Sequence, residues 1–287
     1  MGKGVAVIAV VLVAALSATV ASGRQGTATV ATACADQVID AGTLTIGTDN
    51  PAYGPWFGGG EKKGSPWKVN DPSTGKGFES AVAYAVAKQL GFSHANVKWV
   101  YTPFSKSYAP GKKSFDFDIN EISFTPARGK VVSFSSSYYD VNQAIVVRNG
   151  TPIARVHTIA GLRPYKLGAQ LGTTSYSYIT SRIKPSQQAA VYQQNIAVVT
   201  ALKNKQIDGL VVDLPTAFYV TAVQVPNSKI LGQFPSTTGE HFGMVLAKGN
   251  PLTACVNRAL STLRKSGQLK RIQQTWLGKA AGAPVLR

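Results

Sequence analysis

At 287 residues, with 44% hydrophobic and 15% charged side chains, the chain can bury one large core or two smaller ones, and wholesale disorder is excluded. Lys and Arg outnumber Asp and Glu by 30 to 13, a net charge of +17. The basic residues are scattered rather than gathered into a tract, so no nucleic-acid partner is expected. The surplus reads first as a soluble basic surface and second as a preference for an anionic envelope or partner.

The N-terminus reads as an address. Lys3 precedes the apolar run Val5–Leu16, which has signal-peptide length and falls short of a bilayer span. Small residues then offer cleavage after Ala21 or after Ala33, and residues 1–33 are taken as the leader. The mature chain is expected in the periplasm or on the cell-envelope exterior, with attachment through the leader or a lipid anchor as the alternative. Cys34 and Cys255 form an even pair in an oxidising compartment and predict a disulfide. A lipid on Cys34 is the competing reading; it suffers from the distance to the apolar run and from Ala31, where such sites prefer leucine.

The first predicted strand, residues 43–48, runs into a loop rich in Gly, Pro and aromatics. Its Tyr53, Trp56 and Phe57 are either buried staples or a wall for something flat and apolar. Asp49 ends the strand, as a loop cap or as a pocket carboxylate. A helix over 79–90 follows, opened by Gly77-Phe78-Glu79 and stopped by Gly91. A strand at 97–101 leads to the stretch 115–139. There the alternating Phe115, Phe117 and Ile119 give way to Glu121-Ile122-Ser123-Phe124-Thr125, with Thr125 as N-cap and Pro126 as the first helical residue. Hydroxyls, free N–H groups and Arg128 gather at this edge, the equipment for holding a carboxylate. Taken alone, such a turn is more often an ordinary strand-to-helix connection.

Residues 140–147 read as another strand. The alternation then repeats: a strand at 166–170, a glycine turn through Thr173, Thr174 and Ser175 into a helix, a helix at 195–203, and a buried strand at 207–212. Asp213 ends that strand as N-cap of a helix over 214–223; a strand at 243–247 and helices at 255–265 and 269–277 complete the chain. Alternating strands and helices predict an α/β fold with a largely parallel sheet, in which ligands sit beyond the carboxyl ends of strands. Asp49, the 121–128 stretch, residues 170–175 and Asp213 all fall at such ends, and this coincidence makes 115–139 a binding candidate.

The histidines, His94, His157 and His241, are scattered without ligand spacing, and no P-loop, nucleotide-binding glycine fingerprint or nucleophile elbow is present. We therefore expect no metal and no cofactor. Glu121 is the one glutamate predicted at a candidate site.

Read together, TLTIGTDNPAYGPW, KGFESAVAYAVAKQLGF, DFDINEISFTPARGKVVSFSSSYY, KLGAQLGTTS, LKNKQIDGLVVDLPTAFY and NPLTACVNRALSTLRKSGQLKRIQQTWLG resemble, in order and spacing, the extracellular solute-binding proteins of family 3, the capture subunits of ATP-driven importers for polar amino acids. The resemblance runs from about residue 36 onward. It implies the type II periplasmic-binding-protein fold, with two α/β lobes on a two-strand hinge: lobe 1 from 34–142 plus 240–287, lobe 2 from 143–239. By position it implies that Arg128 clamps an α-carboxylate with Ser123, Thr125, Thr173 and Thr174 around it, and that Asp213 receives the α-ammonium. Tyr53 and Phe78 would sandwich the aliphatic part of the side chain, with Trp56 at the rim and Asp49 and Gln170 at its polar end. Glu121 stands where the family carries a small or neutral polar residue. It either points away, or adds a second carboxylate beside Asp49 that favours a cationic or amide side chain.

The function expected is non-enzymatic capture of a polar amino acid, of the glutamine, glutamate or basic class, by a monomer working with membrane permease and ATPase subunits. The alternatives are a dehydratase-type enzyme on the same fold with Glu121 as general acid, and a sensor ectodomain of a signalling system.

Overall fold

The computed structural model describes residues 1–2, 34–235, 239–278 and 283–287, so the expected leader and its cleavage sites lie outside the described residues. In chain order the elements are β1 (Leu44–Thr48), α1 (Phe78–Gln89), β2 (Val97–Tyr101), α2 (Phe104–Ser107), β3 (Phe117–Asp118), α3 (Pro126–Val131), β4 (Ser133–Phe134), β5 (Tyr139–Asp140) and β6 (Gln143–Arg148). They continue with β7 (Leu167–Gln170), α4 (Thr174–Tyr178), β8 (Ala190–Tyr192), α5 (Asn195–Lys203), β9 (Gly209–Asp213), α6 (Leu214–Tyr219), β10 (Ser228–Gln233), β11 (His241–Phe242), β12 (Val245–Leu246), α7 (Leu252–Lys265) and α8 (Gln268–Leu277).

The strands form two five-stranded sheets, ordered β2-β1-β3-β12-β4 and β10-β6-β9-β7-β8, and a two-stranded ribbon of β5 and β11. β1 pairs in parallel with β2 and β3, and β7 pairs in parallel with β8 and β9. β6 and β12, however, run antiparallel to their neighbours. The sheets are therefore mixed rather than largely parallel. The strands that carry the chain between the sheets and back enter against the direction set by the β–α–β crossovers, which alone require parallel pairing.

Each sheet builds its own core. The first buries Leu44 and Ile46 of β1 under the Phe78, Val82 and Val86 face of α1 and the Leu252, Val256, Leu260 and Leu263 face of α7. The spacing of these residues is the helical period that places them on one stripe. α1 begins where Gly77, at φ +91°, presses on the aromatic loop: a Cβ there would lie 2.4 Å from Phe57 Cα and Trp56 O. In the second sheet β6 is buried on both faces. Ala144 and Val146 join one cluster with α5, and Ile145 and Val147 join another with Leu162 and Ile179. This is the period-2 signature of a central strand.

The C-terminal end departs from expectation. Residues 240–287 were expected wholly on the first lobe, and α7 and α8 do pack there. The last residues instead reach the second sheet: Gln233 N–H donates to Pro284 O at 2.8 Å, Leu286 N–H donates to Gln233 O at 2.9 Å, and Leu286 enters the second sheet's core. A short strand-like segment satisfies the open edge of β10.

Cys34 and Cys255 form the predicted disulfide, with Cα atoms 5.9 Å apart across 221 residues of chain. The bond consumes the Cys34 thiol, so the lipid alternative at that sulfur gives way. Reduction, or Cys255→Ala, is expected to lower unfolding free energy by about 2–5 kcal/mol, read as a shift in denaturation midpoint between reducing and oxidising buffers. Equal midpoints would contradict it.

Candidate functional site

The carboxyl ends of β1, β3, β7 and β9 face one another across a cleft between the two sheets, with about 860 Å³ of empty space partly open to solvent. From the first sheet come Asp49, Glu121, Ser123 and Arg128; from the loop after β1 comes Tyr53. Gln170, Thr173, Thr174 and Asp213 come from the second sheet. Nine of the twelve residues expected to hold a ligand thus share one cavity. Arg128 is the one cationic side chain among the described lining residues.

Arg128 is placed by its helix terminus. Thr125 caps α3, its hydroxyl oxygen accepting from Arg128 N–H at 3.1 Å, and Pro126 supplies the first turn. The Arg128 guanidinium lies 4.2 Å over the Tyr108 ring and 5.6 Å from the Phe104 ring. Nη1 donates to Ser123 O at 2.6 Å and Nη2 to Gly172 O at 2.7 Å, so the side chain ties β3's exit to the turn after β7. A guanidinium carries more N–H donors than two carbonyls occupy, and the Tyr108 side chain is a further partner. Gly172 is required here: at φ +75° its backbone is left-handed, and a Cβ would fall 2.5 Å from the Tyr108 hydroxyl oxygen.

Opposite Arg128 the cleft is acidic. Asp213 sits at the N-cap position of α6, but its side chain makes no capping bond; Gln143 Nε2 donates to its Oδ1 at 2.5 Å instead. The expected dual role as cap and ligand partner is therefore halved, leaving Asp213 turned to the cleft. Glu121 takes the cleft-facing of its two expected orientations. Its Oε2 accepts from Thr216 Oγ at 2.7 Å, and its electrostatic neighbours are Asp213 and Glu79 rather than Asp49. Burial, then Asp213 and Glu79, push the Glu121 carboxyl well above the usual carboxylate range. Burial and Glu240 do the same to Asp213, against the lowering pull of Gln143 and Arg128. Asp49 is raised to about 6, mainly by burial and despite the backbone N–H groups of Asn50 and Phe104. Burial and Asp49 lift the Tyr53 hydroxyl to about 12.

Three expected residues are elsewhere. Phe78 is fully buried in the first core, edge-on to Trp56 and Tyr139, and cannot sandwich a ligand. Trp56 is likewise buried, among Phe78, Tyr139 and Phe242, with only its Nε1 reaching across to Thr216 Oγ at 2.7 Å. Thr125, half-buried, spends its hydroxyl on the helix cap and lines a neighbouring hollow instead. The aromatic that does line the cleft with Tyr53 is Phe104, first residue of α2 just beyond β2. Its position at a strand's carboxyl end was the available signal.

Two glutamates also escaped the sequence reading. Glu240 Oε1 accepts from Ser123 Oγ at 2.7 Å and Gln143 Nε2 at 3.1 Å. Glu79, wholly buried in the first turn of α1, accepts from Glu121 N–H at 2.6 Å and from the Tyr138 hydroxyl. Neither carries a local motif; both act through chain partners more than 40 residues away.

Two α/β sheets joined by a two-stranded ribbon and closing on a polar cleft define a protein of the type II periplasmic-binding class. The chain belongs to the bacterial extracellular solute-binding proteins, family 3, whose model matches residues 59–279. It is 26% identical over 208 residues to the arginine-binding periplasmic protein of Mannheimia haemolytica, covering 70% of this chain and 82% of that one. It is 26% identical over 214 residues to the ABC transporter glutamine-binding protein GlnH of Bacillus subtilis (strain 168), covering 73% and 76%. Among solved structures, an ancestral arginine-binding protein bound to arginine aligns with TM-score 0.67 and 28% identity over 82% of this chain and 98% of that one. An ancestral amino acid-binding protein, described as a precursor of cyclohexadienyl dehydratase, aligns with TM-score 0.66 and 28% identity, covering 82% and 95%. The family is extracellular, and no helix among the described residues is long and apolar enough to cross a membrane.

Proposed function

We propose that the protein is the capture component of an ABC importer and closes its lobes on a free amino acid with a cationic side chain, which it delivers to membrane permease and ATPase subunits. The observation that carries this is the charge pattern of the cleft: one guanidinium, Arg128, facing the carboxylates Asp49, Glu121 and Asp213. A zwitterion needs one fixed cation and one fixed anion, both shielded from water. Arg128 takes the α-carboxylate with Ser123 and Thr174 beside it, Asp213 takes the α-ammonium, and Tyr53 and Phe104 flank the aliphatic stem. Two carboxylates then remain, Asp49 and Glu121, each raised mainly by burial, and a second positive charge on the ligand favours their charged forms. The name of the arginine-binding relative supports the cationic class, while the glutamine-binding relative supports only an amino acid ligand.

The test is a thermal-shift screen of the mature protein against the common amino acids. A ligand at a hundredfold excess over its Kd stabilises the bound state by about 2.7 kcal/mol, a shift of several degrees for a chain of this size. Arginine, lysine or histidine should give the largest shift. A larger response to glutamate or aspartate would overturn the cationic assignment, and no response to any amino acid would overturn the capture function.

Glu121, raised in pKa and buried, also has the protonation of a general acid, and this favours the dehydratase reading as runner-up. The structural neighbour tied to that chemistry is itself described as an amino acid-binding protein, so we read this chain as a binder. Turnover of a carboxylate substrate, lost in Glu121→Gln, would reverse that order.

A further inference from the structure

We propose that Thr216 is a positioning residue that completes the cation-selective wall of the cleft when the lobes close, by inserting its hydroxyl between two side chains of the opposite lobe. The proposal rests on the cationic-ligand reading above and adds the device that creates the preference. The indole N–H of Trp56 can only donate, and it lies 2.7 Å from Thr216 Oγ. Thr216 Oγ is therefore the acceptor in that bond. Its single hydroxyl hydrogen is left for Glu121 Oε2, also at 2.7 Å. With Glu121 ionised, as beside a cationic ligand, the direction of the chain follows: Trp56 donates to Thr216, and Thr216 donates to Glu121 Oε2.

Glu121 is held for this role from behind. Its backbone is left-handed at φ +52°, an uncommon conformation for glutamate, and its N–H donates to Glu79 Oε1 at 2.6 Å. The same Glu79 oxygen accepts from the Tyr138 hydroxyl. Trp56, Glu79, Glu121 and Tyr138 all belong to the first-sheet side, whereas Thr216 lies in the first turn of α6, directly after β9 of the second sheet. Thr216 is buried, so its hydroxyl has no solvent to turn to. Only the closed arrangement brings donor and acceptor to it at once.

The consequence is directional. A hydrogen bond donated to a carboxylate favours its charged form. In an opened cleft Glu121 loses that donor and keeps the Trp56 indole of its own lobe. On closing it regains the donor, which opposes the burial that raises its carboxyl and orients Oε2 as an acceptor for a cationic side chain placed beside it. Cation preference is therefore assembled by closure rather than displayed beforehand, and it depends on a residue at the cleft wall that acts through Glu121.

The experiment compares wild type, Thr216→Val and Thr216→Ser. Valine keeps the shape and removes both hydrogen bonds; serine keeps both. Dissociation constants are measured calorimetrically for L-arginine, L-lysine and L-glutamine, with small-angle scattering of each protein at saturating L-arginine alongside. Thr216→Val should weaken the two cationic amino acids by roughly tenfold or more and glutamine much less, so that the cationic-to-neutral ratio collapses. Thr216→Ser should restore it. A wild-type ratio in Thr216→Val, or failure of serine to rescue, would overturn the proposal. If the wild type binds none of the three, the proposed function has failed on its own account. Scattering then decides the latch: Thr216→Val should be more extended than wild type and serine, and identical curves would overturn it.

Discussion

Replacing Arg128 by alanine should weaken amino-acid binding by at least about a hundredfold, because truncating one partner of a buried charge pair leaves the other unpaired in the closed cleft. The protein should still fold. Arg128 contributes to neither sheet, and the carbonyls it serves, Ser123 O and Gly172 O, lie at the cleft, where water can replace it. Arg128→Lys should recover little. One ammonium cannot span both carbonyls and a carboxylate, nor stack flat on Tyr108 as the guanidinium does. Calorimetric titration with L-arginine, beside circular dichroism of the free proteins, separates loss of binding from loss of fold. Affinity retained in a folded Arg128→Ala would move the carboxylate site elsewhere.

The second large effect is a pH dependence opposite in sign to ordinary acid denaturation. Burial raises Glu79 from 4.5 to about 7, although the Tyr138 hydroxyl and the Glu121 N–H both pull it down. Between those two pH values the folded state binds more protons than the unfolded state, so stability falls as pH rises. Glu79's contribution is fully present below about pH 4.5 and is lost through about pH 7. Its magnitude is on the order of 3 kcal/mol. Asp49, raised to about 6, acts in the same direction over a lower window. Urea denaturation of the ligand-free protein from pH 4.5 to 8 should show the decline, and Glu79→Gln should flatten it; a wild-type slope in that variant would refute the assignment. A cationic ligand stabilises the charged forms of Asp49, Glu121 and Asp213, so its affinity should rise with pH over the range in which the free protein weakens.

What could be read from sequence was whatever the local chain decides. Thr125, Pro126 and Arg128 lie within a few residues of one another, and the helix start they spell is the one observed, with the predicted cap bond in place. Helix α5 was expected at the bounds it takes, because its apolar stripe and flanks are local as well. The family resemblance then placed Ser123, Thr174, Gln170 and Asp213 around one site, and the cleft brings them together.

Aromatic side chains show where this ended. Trp56 and Phe78 have the same local look as Tyr53 and Phe104, all four near loops at strand or helix ends. Which pair lines the cleft depends on Gly77 letting α1 press against the 54–57 turn, which drives Trp56 and Phe78 into the core beside Tyr139 and Phe242. Glu121 is the sharper case. Its residue type signalled a departure from the family, but its direction was set by a left-handed backbone, by Glu79 behind it and by Thr216 arriving from the other lobe.

From its own residues the sequence determined the cysteine pair and the strand-end positions of Asp49, the 121–128 stretch and Asp213, each by short-range pattern or residue type, whereas the two-lobed class came with the family resemblance. Only the tertiary structure decided the orientation of the carboxylates, the aromatics that line the cleft and the contacts of the Thr216 hydroxyl with Trp56 and Glu121. These depend on side chains from distant segments being desolvated against one another, and burial sets both where a charged group points and whether it stays charged.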